Sequence, residues 1–202
     1  KGCEVPQRHH HTILVPGDED ATLLLMPAWT KGERLGIKLV NVFPGNSKKQ
    51  QPSITSTYLL YDAKDGQALT VMDGATITAK RTAAASALAA AYLSVHDASS
   101  LFVVGAGKVA AQIPGAMNSV RPITEIQVYD VNADMADAMV EDLKREGLNA
   151  SVARDIESGV DRADIISCAT LSQKPMVLGE WLRPGQHLDL IGSFTPEMRE
   201  TD

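Results

Sequence analysis

The sequence predicts an α/β protein with a doubly wound parallel sheet in its second half and a smaller α+β unit before it. Three observations predict this. From Ser99 onward, apolar runs that read as buried strands alternate with helical stretches. The first of those strands, "LFVVGAG", ends in glycines and runs into a helix. The first half has another rhythm, with short strands, a hairpin signal and one alanine-rich helix.

In the first half the strands are "TLLLMPAW", "LGIKLVNVF", "SITSTYLLYD" and "ALTVMD", the last two joined by "AKDG", whose Asp65-Gly66 favours a tight turn. "ATITAKRTAAASALAAAYLS" follows, rich in Ala and without an internal breaker, and predicts a helix over 75–93. After "LFVVGAG", "KVAAQIPGAMNSV" predicts a helix kinked or shortened at Pro114-Gly115. The elements then alternate: strand "EIQVYDV", helix "NADMADAMVEDLKREG" stopping at Gly147, strand "ASVAR", short helix "DIESGVDRA", and strands "DIISCAT" and "HLDLIGS". Two domains are expected, 1–95 and 96–202.

"VVGAGKVA" has the pattern G-x-G-x-x-A, with Gly105 for the tight turn, Gly107 for close approach to a pyrophosphate and Ala110 for close helix–sheet packing. The strand before it, the helix after it and the acid Asp130 ending "IQVYD" are the context a Rossmann-type dinucleotide site requires. A carboxylate there accepts both ribose hydroxyls and repels a 2′-phosphate, so NAD(H) is favoured, with NADP(H) possible if Lys108 accepts the phosphate. The alternative is an ordinary strand–helix turn beside a surface aspartate. Thr170 in "SCAT" and Gly192 in "LIGS" end later strands at the same sheet edge and are further candidate cofactor contacts.

With 202 residues, 44% of them hydrophobic, the chain can build a real core. A net charge of −6 without a Lys/Arg block argues against nucleic acid and anionic membrane and leaves small molecules as partners. Cys3 and Cys168 lie far apart and form no disulfide framework. No apolar run approaches the ~20 residues of a membrane span, so a cytoplasmic protein is expected. The chain opens at Lys1 without Met and stops at "RETD", as an internal piece of a longer polypeptide would.

Three cations of the first half are oddly placed. Arg8 precedes the run His9-His10-His11, Lys38 interrupts the apolar "GIKLVNVF", and Arg81 falls in the first turns of the alanine-rich helix, where the macrodipole disfavours positive charge. An anion such as a carboxylate beside Arg81 accounts for it. The plainer readings are a lysine snorkelling from a strand edge and two arginines on wet surface. Of the three histidines only His9 and His11 share a strand face, and no acid or cysteine stands at ligand spacing, so no metal site is expected.

Taken in order, "GIKLVNVFPGN", "LLYDAKDGQALTVMDGATITAKRTAAASALAAAYL", "LFVVGAGKVA" and "IGSFTPEMRE" resemble the ornithine cyclodeaminase/mu-crystallin family over nearly the whole chain. The resemblance implies a homodimer with a substrate-binding and dimerisation domain, a Rossmann domain, and an active site in the cleft between them. It implies that Arg8, Lys38, Ser53 and Arg81 surround the substrate, with Lys38 and Arg81 catalytic. Thr82 and Val109 join Gly105, Gly107, Lys108, Asp130, Thr170 and Gly192 as cofactor contacts.

Ornithine cyclodeaminases resemble one another in an aspartate at the position of Phe194, which a phenylalanine cannot replace in binding an ammonium or moving a proton. "GSFTPEMRE" is instead similar to members that reduce Δ1-pyrroline-2-carboxylate or Δ1-piperideine-2-carboxylate to L-proline or L-pipecolate. The expected activity is therefore NAD(P)H-dependent ketimine reduction. The rivals are an L-alanine dehydrogenase-like or ornithine cyclodeaminase activity, and a non-enzymic NAD(P)H-dependent binding protein of the mu-crystallin kind.

Overall fold

A computed structural model describes residues 2–49, 51–193 and 196–202. Phe194 lies outside the described residues. The chain forms two compact units, Lys1–Thr78 and Ala79–Asp202. Their division falls within the long alanine-rich helix.

Unit 1 is an antiparallel sheet of β1 (Cys3–Glu4), β2 (His9–Ile13), β3 (Ala21–Thr30), β4 (Arg34–Val42), β5 (Ile54–Asp62) and β6 (Ala68–Asp73). The order is β1-β3-β4-β5-β6, and β2 also pairs with β3. β1 takes one end of β3 and β2 the other. Pro27, which has no N–H to donate, stands in the stretch of β3 that neither of them pairs. The predicted β5–β6 hairpin is present, with Gly66 at φ +77°. The exposed β2, "HHHTI", shows no apolar alternation, and its His9 and His11 rings do share a face, 6.3 Å apart.

The helix α1 (Gly74–Leu93) starts one residue before the predicted 75 and ends at the predicted 93. Asp73 caps it, accepting from Ala75 N at 3.2 Å and from Thr76 N at 3.0 Å. A side chain at Gly74 would collide with Ser56 of β5, so the pair Asp73-Gly74 caps the helix and lets it abut the sheet. At the other end a buried arginine does the capping. Arg121 donates to the carbonyls of Ala90, Ala91, Ser94 and Val95 and to Ser94 Oγ, each at 2.9 Å. Helix-terminal carbonyls and a cation attract, and the last turn of α1 has no basic residue of its own.

Unit 2 is the predicted doubly wound sheet. Its strands β7 (Ser100–Val104), β8 (Glu125–Tyr129), β9 (Ala150–Val152), β10 (Ile165–Cys168) and β11 (His187–Leu190) are all parallel, in the order β11-β10-β7-β8-β9. Numbered from β7, that is the 3-2-1-4-5 order of a Rossmann sheet. Alternation along β7 sends Leu101 and Val103 into one apolar cluster with Ala83, Ala87 and Ala90 of α1, and Phe102 and Val104 into a second on the opposite face.

The helices are α2 (Ile113–Asn118), α3 (Ala133–Arg145) and α4 (Ile156–Arg162). Asn132 caps α3 and Asp155 caps α4. α4 presses onto Phe102 so closely that only glycine fits at Gly159. The helix expected directly after the glycine turn is broken into a 3-10 turn, Ala110–Gln112, and the six-residue α2. Pro114 is the cause, since it cannot donate the bond that would continue an α-helix through residue 110.

Candidate functional site

The C-terminal ends of β7, β8 and β10 meet where the strand order reverses, and there a hollow of about 400 Å³ opens. Val104, Gly105, Asp130, Ala169, Thr170 and Met176 are among its lining residues. Gly105 has φ +107°, and a Cβ on it would stand 2.7 Å from Ala169 O, so both backbone and space demand glycine. Its N–H donates to Tyr129 O at 2.7 Å, and the next amide, Ala106 N, donates to Asp130 Oδ2 at 2.7 Å. The turn thereby fixes the acid that the sequence singled out. Asp130 Oδ1 accepts from Asn132 N at 2.8 Å.

Ala110 is completely buried, the close helix–sheet contact expected of a third small residue. Gly107 is different, because no protein atom lies within 4 Å of where its Cβ would stand. The fold itself does not require glycine there, whereas a pyrophosphate crossing the turn does. Lys108 is exposed and lines a second, larger hollow of about 560 Å³ with Gly107 and α3. Asp142, Arg145 and Glu146 line that hollow too, so its charges balance, whereas the smaller one lies at the strand ends where dinucleotides bind in such sheets. Val109 lies in helical conformation just before the 3-10 turn, its side chain partly exposed.

Behind the hollow sits a buried carboxylate that sequence reasoning missed. Glu200 Oε1 accepts from Thr170 N at 2.7 Å and Thr170 Oγ1 at 2.8 Å, while Oε2 accepts from Gly192 N at 2.9 Å. A side chain at Gly192 would run into Thr170 and Glu200, which accounts for glycine at that position. Nearby Cys168 has its thiol pushed far up by burial and by the charges of Glu200 and Asp189, so it is an inert packing residue.

In unit 1 the cation of interest is Lys38, half-buried in the middle of β4 and paired in register with Met26 and Tyr58. Its Nζ donates to Thr78 Oγ1 at 2.5 Å, and that hydroxyl donates to Gly74 O at 2.6 Å. The strand ammonium is thus brought to the opening turns of α1. Arg8 is exposed and directly precedes β2, whose first pair is His9↔Leu25.

Ser53 lies beyond the Val42↔Ile54 end of the β4–β5 ladder, where its carbonyl accepts from Phe43 N at 2.7 Å. Unit 1 therefore does not set it beside Lys38. Arg81 and Thr82 belong to unit 2; Arg81 is exposed and Thr82 half-buried. Among the described residues, no three His, Cys, Asp or Glu side chains are grouped to hold a metal ion, and no helix is long and apolar enough to cross a membrane.

Known proteins share this architecture. Over 205 residues the chain is 36% identical to the Δ1-pyrroline-2-carboxylate reductase of Paracoccus denitrificans (strain Pd 1222), covering 100% of this chain and 64% of that protein. The structure of Thermococcus litoralis Δ1-pyrroline-2-carboxylate reductase in complex with NADH and L-proline superimposes with a TM-score of 0.85 at 34% identity, over 99% of this chain and 62% of that one. An archaeal alanine dehydrogenase dimer with bound NAD gives 0.84 at 32%, over 99% and 60%. The chain thus spans a little under two thirds of these proteins' length. The profile of the ornithine cyclodeaminase/mu-crystallin family matches residues 4–202, and the chain belongs to that family.

Proposed function

We propose that the protein reduces a cyclic ketimine carboxylate, Δ1-pyrroline-2-carboxylate or Δ1-piperideine-2-carboxylate, to L-proline or L-pipecolate, using NAD(H) in preference to NADP(H). The observation that carries this is the Lys38–Thr78 hydrogen bond, which holds an ammonium at the opening turns of α1. A cation beside a helix N-terminus adds to the positive end of the macrodipole, and the two together suit an anionic ligand. A reductase relative at 36% identity, and the fold shared with a reductase solved with NADH and L-proline, support the same substrate class.

The residues present fit a nicotinamide dinucleotide. Gly105 shapes the turn, Gly107 leaves it open to a pyrophosphate, and Asp130 offers a carboxylate at the end of β8. That carboxylate supports NAD(H), since it would repel a 2′-phosphate. When bound, the reduced nicotinamide supplies the hydride for the C=N carbon.

The chain's own part is to bind and polarise. Arg81 and Arg8 hold the substrate carboxylate, the planar guanidinium matching it in bidentate fashion. Lys38 keeps a proton at Nζ for the imine nitrogen, whose protonation makes the neighbouring carbon a better hydride acceptor. Thr78 fixes the ammonium by accepting a hydrogen bond from it. Thr82 and Lys108 complete the cofactor's surroundings. Residues 1–95 serve substrate binding and dimerisation, and 96–202 the dinucleotide. Both clusters of buried apolar side chains among the described residues lie in unit 2, so the open sheet of unit 1 supports pairing with a second copy.

The test is absorbance at the nicotinamide band with each cofactor and each cyclic ketimine. NADH oxidation with a cyclic imino acid, exceeding that with NADPH, is expected. Turnover of pyruvate plus ammonium without any on the cyclic imines would transfer the assignment to an alanine dehydrogenase. Tight ligand binding without NADH oxidation would make the protein a binder.

A further inference from the structure

Glu200 is 2% exposed, and among the described residues its carboxylate accepts hydrogen bonds from groups just past the ends of β10 and β11, Thr170 and Gly192. Burying a carboxylate is costly unless donors surround it, and here the donors are two backbone amides and one hydroxyl. Its own backbone is pinned as well: Glu200 O accepts from Met176 N at 2.8 Å and Val177 N at 3.0 Å. Arg199 N donates to Ser172 O at 2.7 Å, and Asp202 Oδ1 accepts from Gly179 N at 2.7 Å. The strap 199–202 therefore holds the loop after β10, whose Thr170, Leu171, Ser172 and Met176 form one wall of the hollow.

The two halves of a dinucleotide straddle the reversal in strand order. Asp130, at the end of β8, marks the adenosine side, which leaves the β10–β11 side for the nicotinamide half. Resting on the dinucleotide reading above, we infer that Glu200 is a positioning residue for the nicotinamide half of the cofactor. It touches no reacting atom. It sets the wall against which the ring is held, by locking Thr170 to Gly192.

The contrast between NADH and ADP-ribose, which lacks the nicotinamide, tests this in the purified protein. In Glu200→Gln, the amide nitrogen that replaces Oε2 cannot accept from Gly192 N. The variant should bind NADH about tenfold more weakly, a change of ~1.4 kcal/mol, and ADP-ribose within about twofold of wild type, by fluorescence or calorimetric titration. Thr170→Val removes only the hydroxyl donor and should give a smaller, roughly threefold loss of the same kind; it decides the matter if Glu200→Gln fails to fold. Equal weakening of both ligands, or no weakening of either, would overturn the inference. If wild type binds NADH but not ADP-ribose, the division of the cleft is wrong and the inference falls. If it binds neither, the dinucleotide reading falls first and takes this with it.

Discussion

Lys38 on β4 and Thr78 on α1 are joined through a 2.5 Å hydrogen bond, and the threonine hydroxyl donates in turn to Gly74 O. The hydroxyl hydrogen is thus committed, so lysine is the donor of the pair. The bond answers why an ammonium interrupts an apolar strand: it is aimed at the start of a helix.

Lys38→Met preserves the length and apolar stem of the side chain and removes charge and proton. It should lower kcat for ketimine reduction by about 10²–10⁴-fold and leave NADH affinity within about twofold. Steady-state kinetics combined with NADH titration makes the comparison. Unimpaired turnover would remove Lys38 from the chemistry.

Gly105→Ala places a methyl 2.7 Å from Ala169 O on a backbone at φ +107°. Strain of this kind costs about 1–3 kcal/mol, and the expected result is a lowered urea midpoint together with weakened NADH binding. Gly107→Ala meets no protein atom, so the midpoint should hold while NADH binding alone suffers.

Arg121→Met removes the cap of α1 and leaves several buried carbonyls without their charged donor. At ~1.5–3 kcal/mol for each hydrogen bond to a charged group, less what relaxation recovers, unfolding should be easier by at least about 3 kcal/mol. Arg121→Lys should recover only part of this, since an ammonium cannot reproduce the planar fork. Equilibrium denaturation measures both.

Acid should destabilise the fold in two stages. Burial holds His187 below its usual value of 6.5, helped by Arg121 and opposed by Asp189. The unfolded chain therefore takes up that proton first, and stability declines as pH falls below 6.5 until the folded histidine is protonated as well. At Asp164 burial raises the carboxyl's value, but bonds from Ser99 N, Ser100 Oγ and Ser100 N outweigh it and hold the group below 3.8. That contribution is present above 3.8 and vanishes as pH falls through the lowered value. His187→Leu should flatten the first stage and Asp164→Asn the second, in denaturation midpoints measured across pH.

The alternation of strands and helices after Ser99, the glycine turn and the alanine-rich helix were legible because each rests on local rules of spacing and propensity. β1 was not, since two exposed residues at a sheet edge have no apolar period to read. The capping of α1's end by Arg121 belongs to the same class of silence: the arginine looks like a loop residue before Pro122, and the groups it caps lie 26–31 residues earlier. Glu200 went unnoticed because its partners are mostly backbone amides, which no side-chain motif reports. Gly105 and Asp130 were found separately by pattern, while the 2.7 Å bond from Ala106 N that couples them needed the fold.

That coupling constrains any redesign of coenzyme preference. The two oxygens of Asp130 serve as struts for Ala106 N and Asn132 N as well as a recognition element. Exchanging the acid for a small neutral residue, the obvious route toward a phosphorylated coenzyme, strips acceptors from both amides and slackens the loop that must carry the diphosphate. A workable swap has to bring in replacement acceptors together with the new cation, so a single substitution should trade away affinity for both coenzymes before it reverses the choice between them.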